Sequence, residues 1–410
     1  MLLLYNILTS NKFSWEQRKF SDGVSEVGDG LHGTPTYSDD GDVYFVNGNN
    51  LVGGSIVINS ETKTVDENQQ SLADKSLDDN TILMSINGTI GNLAYYSGEK
   101  LMLGKSAAYI KVSEFDKKFV YDYIQAPSVQ AYFMDSLTGT TIKNLGLKAI
   151  REMRIIVPQN IEEQRKIGEC VSNIDDLIAL HQRKCTALET AKRFYLQNMF
   201  PQKGEKIPAI RLADYKRPWH FVKLGDIVDR VTRKNENSVC ELPLTISAQY
   251  GLIDQNEFFD RRIASKDISG YYLIRNGEFA YNKSTSGDAP WGAVKRLDRY
   301  DAGVLSTLYI VFRIKDEKKT CSDFIVTYYT TNLWHKDIRL IAAEGARNHG
   351  LLNIAPSDFF DTLIIMPEEF AEQKAIGEFF CNLDHLITLH QRKTSALQTM
   401  KVFLLQNMFV

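Results

Sequence analysis

The sequence predicts an α+β protein in which two mixed α/β domains alternate with two long helices, and the helices form an antiparallel coiled coil with pseudo-two-fold symmetry. The main observation is a repeat: residues 163–200 and 372–409 align without gaps at a constant offset of 209, with 24 of 38 positions identical. Each copy carries apolar side chains at the 4-3 spacing of a coiled-coil seam. The stretches before the copies are rich in Gly, Asn, Thr and short β-type runs, as mixed domains are.

The chain therefore divides into four parts. We expect a first domain over residues 1–160, a first long helix over 161–205, a second domain over 206–368 and a second long helix over 369–410.

The start of each helix follows a proline, Pro158 in the first half and Pro367 in the second. Asn160 stands at the N-cap position of the first helix, and Glu163 three residues later predicts a capping box.

The two helices are each predicted to be roughly 55–60 Å long at 1.5 Å per residue. A helix of that length with one apolar stripe needs a partner, and two-fold pairing of the copies would run them antiparallel. His181 and His390 lie at the midpoints of the two segments, so we expect a polar layer near the crossing. The alternative is that these histidines only set the register of the seam. The seam positions are Ile174, Ile178, His181, Leu188, Leu383, Ile387, His390 and Leu397.

Composition limits the classes of function. Hydrophobic residues make up 43% and charged residues 24% of the chain, and no apolar run is long enough to cross a membrane. The five cysteines have no metal-binding spacing, so we expect reduced thiols, a cytoplasmic protein and no metal site. A net charge of −3 gives no overall signal for nucleic acid, although a local basic face can coexist with it.

Catalytic motifs are absent from the sequence. It contains no NPPY-like methyltransferase motif and no HExxH, so we expect no catalytic residues and no cofactor bound by this chain itself. Residues 98–106 resemble a phosphate-binding loop but have five residues between the glycines instead of four. A strand is predicted to follow them rather than a helix, which argues against ATP binding.

Polar, glycine-punctuated loops are the remaining candidates for a binding site. Their Asn, Gln, Arg, Lys, Ser and Thr side chains are the types that contact base edges and phosphates, although such clusters also simply form turns. The candidate DNA-binding residues are His32, Thr34, Asn47, Asn49, Asn87, Thr89 and Thr140 in the first domain, and Lys234, Asn235, Gln249, Tyr250, Asn282, Lys283, Ser284, Arg347 and Asn348 in the second.

The two domains are alike at their ends and unlike in their interiors. Trp15 and Trp219 open similar segments, and residues 144–158 track residues 353–367 before the helices. One departure concerns residues 206–212, which precede Trp219 and have no similar counterpart before Trp15. Two copies of one scaffold that read different ligands would show this pattern.

Over nearly its whole length the chain resembles the specificity (S) subunit of type I restriction–modification enzymes. The resemblance rests on the helix starts EQRKIGE and EQKAIGE after IIVPQN and IIMPEE, and on the repeated LHQRK and LQNMF blocks. The segments WEQRKFSD and GDGLHGTPTY also look like parts of target-recognition domains in that family.

This resemblance implies a non-catalytic DNA-reading subunit. Each variable domain would read one half of a bipartite double-stranded DNA target, and the helix pair would set the spacer and dock two methyltransferase subunits. S-adenosylmethionine, ATP and Mg²⁺ would belong to these partners and to restriction/translocase subunits. One alternative is a self-contained restriction or methyltransferase enzyme, which the missing motifs disfavour. Another is a coiled-coil scaffold that binds only protein, which would leave two large domains with unlike loops unexplained.

Overall fold

The computed structural model describes residues 15–202, 204–212, 215–247, 250–260, 264–265, 267–287, 289–343 and 350–409. By internal contacts the chain forms two compact units. Unit 1 comprises residues 1–183 and 391–410, and unit 2 comprises residues 184–390. Each unit therefore contains one mixed domain together with part of each long helix.

The strands of the first domain are β1 (Trp15–Lys19), β2 (Val24–Asp29), β3 (Val43–Val46), β4 (Leu51–Val52), β5 (Ser55–Ile56), β6 (Thr64–Val65), β7 (Thr81–Ser85), β8 (Leu93–Tyr95), β9 (Leu101–Leu103), β10 (Ala107–Val112), β11 (Leu137–Thr138), β12 (Asn144–Leu145) and β13 (Arg154–Pro158). Its α-helices are α1 (Leu72–Lys75), α2 (Lys117–Gln125), α3 (Pro127–Asp135) and α4 (Leu147–Glu152), and the first long helix is α5 (Ile161–Asn198).

The strands of the second domain are β14 (His220–Lys223), β15 (Val228–Val231), β16 (Leu244–Ser247), β17 (Gly251–Asp254), β18 (Tyr272–Arg275), β19 (Phe279–Asn282), β20 (Ala293–Arg296), β21 (Ala302–Leu305), β22 (Ile310–Ile314) and β23 (Leu363–Met366). Its α-helices are α6 (Leu224–Ile227), α7 (Gln255–Phe259), α8 (Ser322–Tyr328), α9 (His335–Ala343) and α10 (Pro356–Phe360), and the second long helix is α11 (Phe370–Met408).

Both domains share one framework of antiparallel strands. The four-stranded sheet has the order β2-β10-β7-β8 in unit 1 and β15-β22-β19-β20 in unit 2. In each domain the first strand also pairs with the last, as β1 with β13 and β14 with β23. The remaining strands differ, since the first domain adds the mixed sheet β6-β3-β9 and the second adds the pairs β16-β17 and β18-β21. The predicted fold class, two related mixed domains with two long helices, is confirmed.

The long helices run antiparallel in each unit. In unit 1, Lys401 in the last third of α11 donates to Asp175 in the first half of α5, at 2.7 Å. In unit 2, Lys192 in the last third of α5 donates to Asp384 in the first half of α11. The two pairs occupy equivalent positions of the repeat, 209 residues apart, so each unit uses the same inter-helix ion pair.

The seam positions are the less exposed positions of both helices. Ile174 and Ile387 are buried, and the other six predicted seam residues are half-buried. The 4-3 spacing therefore places one stripe of each helix against a partner, as coiled-coil packing requires. His181 belongs to unit 1 and His390 to unit 2, and the polar layer between them stays a prediction. Among the helices that the structure describes, none combines the length and the apolar character of a membrane span.

The repeated start of each long helix attaches it to its domain. Gln164 accepts a hydrogen bond from the Asp116 backbone N–H at 3.0 Å and donates to the Pro158 carbonyl at 2.9 Å. Gln373 makes the equivalent pair of bonds in unit 2. A Cβ on Gly168 would lie 2.6 Å from the Phe119 backbone nitrogen, so only glycine allows the helix to approach this closely.

The first residues of α5 partly correct the predicted capping box. The Asn160 side chain accepts from the Glu162 backbone N–H at 2.9 Å and therefore caps the helix as predicted. The Glu163 carboxylate does not return to Asn160 but accepts from the Trp15 indole N–H at 3.2 Å. A tertiary partner 148 residues away replaces the local bond.

Asp122 of α2 is a buried carboxyl group close to the helix pair. It is 1% exposed, and Gln125 donates to its Oδ1 at 3.5 Å. Gln125 in turn accepts from Lys401 at 3.1 Å. Burial raises the pKa of Asp122 from 3.8 to about 8, and the Lys401 ammonium only partly opposes this rise.

A pH dependence of unit 1 follows from this pKa. Between the unfolded value near 3.8 and the folded value of about 8, the folded state holds a proton that the unfolded state has released. The stability that Asp122 contributes is therefore complete at low pH and is lost as pH rises through this window. We expect Asp122→Asn to flatten the decline, measured by urea unfolding between about pH 5 and about pH 8. An unchanged pH slope in the variant would exclude Asp122 as its source.

Candidate DNA interface

The predicted loops of the first domain meet around the β9–β10 turn, residues 104–106. Leu31, two residues after the end of β2, forms a bridge with Gly104. The Asn47 Oδ1 atom, directly after β3, accepts from the Ser106 hydroxyl at 2.9 Å. The turn thus links two predicted loops that are distant in sequence.

The same turn reaches two further loops. Ile86, directly after β7, donates its backbone N–H to the Ser106 carbonyl at 3.0 Å. Its neighbour Asn87 forms a bridge with Asn144, in the β11–β12 hairpin that carries Thr140. All four predicted loops of this domain therefore lie at the same end of the sheet, where β2 and β7 end and β10 begins. We call this set, residues 30–35, 47–50, 86–91, 104–106 and 138–143, the loop cluster.

The side chains of the loop cluster divide into supports and exposed groups. Asn47 supports the cluster, because its amide oxygen is used by Ser106 and its backbone N–H donates to Asn50 at 3.0 Å. Asn87 is half-buried beside its bridge. The exposed predicted residues are His32, Thr34, Asn49, Thr89 and Thr140.

His32 contacts a carboxylate rather than a nucleophile. Its Nε2 atom lies 2.7 Å from Asp29 Oδ2, and the imidazole is otherwise exposed. Within the described residues, no group of three or more His, Cys, Asp and Glu side chains could hold a metal ion. The geometry at His32 suits contact with a ligand surface better than catalysis.

Two lysines of the loop cluster were not predicted as site residues. Lys105 is exposed in the central turn, and Lys143 is exposed in the β11–β12 hairpin. Ammonium groups at such positions can contact phosphates beside side chains that contact bases. The sequence signal for Lys105 is its place in the Gly104-Lys105-Ser106 turn, which resembles a phosphate-binding loop.

One predicted loop of the second domain, residues 281–286, contacts the chain at Leu351 and Leu352. Ser284 forms a bridge with Leu351, and Leu352 donates its backbone N–H to the Lys283 carbonyl at 3.0 Å. Asn282 accepts from the Ser284 backbone N–H at 3.0 Å, so its amide oxygen shapes the turn. Burial lowers the pKa of the Lys283 ammonium, which lies 3.4 Å from the Ile354 carbonyl. Ser284 is exposed, whereas Asn282 and Lys283 are half-buried.

The loop at residues 233–235 corrects a prediction. Asn235 is 0% exposed, and its amide bonds the Cys240 backbone through both the oxygen and the nitrogen, so it has no surface for DNA. Lys234 donates to the Gly270 carbonyl at 2.8 Å and lies over the Tyr272 ring. These side chains hold the loop in place, as the turn-forming alternative expected.

The β16–β17 hairpin places Tyr250 in a strongly exposed position. Shortly after it, Phe258 and Phe259 of α7 are also exposed, with ring centroids 4.8 Å apart. This aromatic pair was not predicted, although two adjacent phenylalanines after a polar turn are visible in the sequence. The predicted residues Gln249, Arg347 and Asn348 lie outside the described residues.

Comparison with known proteins gives a family match for part of the chain. Residues 14–190 match the model described as the type I restriction modification DNA specificity domain. Two specificity subunits of Methanocaldococcus jannaschii are similar. That of the type I restriction enzyme MjaVIII is 22% identical over 139 residues, 32% of each chain. That of MjaX is 29% identical over 123 residues, 29% of this chain and 28% of the relative. The match thus spans about a third of these relatives' length.

A solved structure extends the similarity in fold. The S subunit of a type I restriction-modification system from M. genitalium has a TM-score of 0.62 to this chain at 14% identity, with 98% of both chains covered. At this identity the comparison concerns architecture alone, and it includes both domains and both long helices.

Proposed function

We propose that this chain, whose residues 14–190 match a type I restriction modification DNA specificity domain, is the DNA sequence-recognition subunit of a type I restriction–modification complex. In this role each mixed domain reads one half of a bipartite double-stranded target. The helix pair sets the spacing between the halves.

The loop cluster carries this proposal. Four loops of the first domain meet there around the β9–β10 turn, at one end of the sheet. Their exposed polar side chains lie in the same cluster as Lys105. Such side chains can enter a DNA groove and bond base edges, while the ammonium contacts the backbone. The second domain has the same sheet framework with different loops, which fits the reading of a different half-site.

We also propose that the long helices dock two methyltransferase subunits. Three pairs of equivalent apolar residues are exposed on the helices outside the seam: Leu177 and Leu386, Leu180 and Leu389, and Phe194 and Phe403. Similar exposure at positions 209 apart suits two copies of one partner, because each copy would meet the same side chains. These residues also favour the second candidate function, a coiled-coil scaffold that binds only protein.

Catalysis belongs to the partners in this proposal. The partner methyltransferase would supply S-adenosylmethionine and the methyl transfer, and a restriction/translocase subunit would supply ATP- and Mg²⁺-dependent cleavage. This division also suits the chain's net charge of −3, since partner subunits can share the contacts to DNA phosphates.

Reconstitution tests this division of roles. The purified chain and the methyltransferase of the same host are assayed separately and together for transfer of labelled methyl groups to DNA. We expect sequence-specific adenine methylation only with both proteins, and methylation by this chain alone would contradict the proposal. Phe403→Glu should weaken complex formation, whereas Gln398→Glu, a control on an exposed polar residue of another face of the same helix, should not.

A further inference from the structure

Glu163 and Glu372 are equivalent residues of the repeat, but their carboxylates have different hydrogen-bond partners. In unit 2, the Glu372 carboxylate accepts from Arg211 Nε at 2.9 Å and from Arg211 Nη2 at 2.6 Å. Its Oε1 atom also accepts from the Trp219 indole N–H at 3.2 Å. Glu372 is 3% exposed and Trp219 is 1% exposed, so this is a closed, bidentate site for a guanidinium group.

Unit 1 has the equivalent carboxylate and tryptophan, both half-buried, without a guanidinium among the described residues. Glu163 is the repeat equivalent of Glu372, and its Oε1 atom accepts from Trp15, the equivalent of Trp219, again at 3.2 Å. Its Oε2 atom is buried and has no hydrogen-bond partner among the residues that the structure describes. A buried carboxylate oxygen without a donor is costly, and a bound cation would remove that cost.

The chain has no arginine at the equivalent position. Arg211 precedes Trp219 by eight residues, and the residue eight positions before Trp15 is Ile7. None of residues 1–14 is an arginine. Arg165, in the first turns of this helix, contacts Glu162 instead. Among the residues that the structure describes, Glu163 therefore has the tryptophan donor of this site but no guanidinium.

The segment around Arg211 indicates what kind of molecule fits. Its neighbours Ile210 and Leu212 pack against the apolar core of unit 2, and Ile210 donates its backbone N–H to Asn198 at 2.9 Å. Phe370 also packs against this core, while its equivalent in unit 1, Ile161, is 46% exposed. Unit 1 thus leaves an apolar side chain exposed at the same helix start, which a peptide can cover and a small ion cannot.

We propose that Glu163 and Trp15 form a receptor for an arginine side chain that a partner protein presents in an apolar–Arg–apolar segment. Arginine is preferred to lysine because its planar fork can meet both carboxylate oxygens, as Arg211 does in unit 2. DNA is disfavoured as the occupant because its phosphates would be repelled by the carboxylate. This receptor does not depend on the DNA-reading role.

The chain itself supplies the probe. A labelled synthetic peptide with the sequence of residues 205–218 is titrated against the full chain and followed by fluorescence anisotropy. A second peptide carries Arg211→Gln. We expect the arginine peptide to bind at least about tenfold more tightly, the difference that one charge-assisted hydrogen-bond pair supplies. Equal affinity of the two peptides would overturn the proposal.

The protein variant completes the test. Glu163→Gln keeps the size of the side chain and the acceptor for Trp15, and it should erase the difference between the two peptides. Since each change removes the same interaction, the double change should cost no more than either single one. Full discrimination retained in Glu163→Gln would overturn the proposal. So would equally strong competition by free arginine amide, because the site would then take a small molecule.

A fusion of the peptide to the chain tests the same contact without depending on how tightly a separate peptide binds. A copy of residues 205–218 is inserted directly before Trp15 of the full chain. The copy carries either arginine or glutamine at the position of Arg211. The arginine fusion should raise the midpoint of thermal unfolding of unit 1, and Glu163→Gln should abolish the rise. Burial raises the pKa of Glu163, so the rise should also shrink as pH falls through that pKa. No difference between the fusions would contradict a guanidinium receptor.

Discussion

Replacing Glu372 with glutamine is expected to lower the free energy of unfolding of unit 2 by about 3 kcal/mol, the cost of removing one member of a buried ion pair. The Arg211 and Glu372 side chains are 9% and 4% exposed. Glutamine can still accept from Trp219, but it leaves the guanidinium buried without a counter-charge. The loss therefore comes from the group that remains.

Glu163→Gln is the matched control for this prediction. Its carboxylate shares the bond to the tryptophan but has no guanidinium among the described residues, so the change should cost less than about 1 kcal/mol. Hydrogen exchange read by mass spectrometry separates the two units, since each variant should alter protection in its own unit. Equal destabilisation by the two substitutions would show that the ion pair contributes nothing beyond the shared bond.

The long helices were predictable because their signals are local and repeated. A 4-3 apolar spacing identifies a seam from one segment alone, and the constant offset of 209 identifies its partner. The antiparallel direction followed from symmetry, and the equivalent ion pairs of Lys192 and Lys401 agree with it.

Side-chain roles were less predictable, because their partners are distant in sequence. Glu163 was expected to bond the helix start but bonds Trp15, 148 residues away. Asn235 has the residue type of a base reader, yet its amide is consumed by its own turn. Turn chemistry and DNA contact use the same residues, so only burial and bonding distinguish them.

The loop cluster was predictable only in part. Glycine, asparagine and threonine identified its loops, but their meeting around residues 104–106 depends on the strand order β2-β10-β7 and on the parallel pairing of β3 with β9. Neither pairing can be read from periodicity alone. Lys105 was missed for the same reason, since its importance comes from the loops around it.

Exchange of the first domain should switch one half of the DNA target. Replacing residues 1–160 with the first domain of another specificity subunit leaves the second domain and both helices unchanged. The donor should retain aromatic residues at the positions of Phe119 and Tyr123, because these pack on Phe409, directly after α11, with ring centroids 5.3 and 5.5 Å away. With this contact kept, the hybrid should fold and assemble with the same methyltransferase.

Mapping of methylated adenines in cells that carry the original or the hybrid chain with that methyltransferase tests the central claim most directly. Two independent readers predict that the hybrid keeps one half-site and the spacer length, and acquires the donor's other half-site. An unchanged target, or the change of both halves together, would contradict a chain in which each domain reads its own half of the DNA.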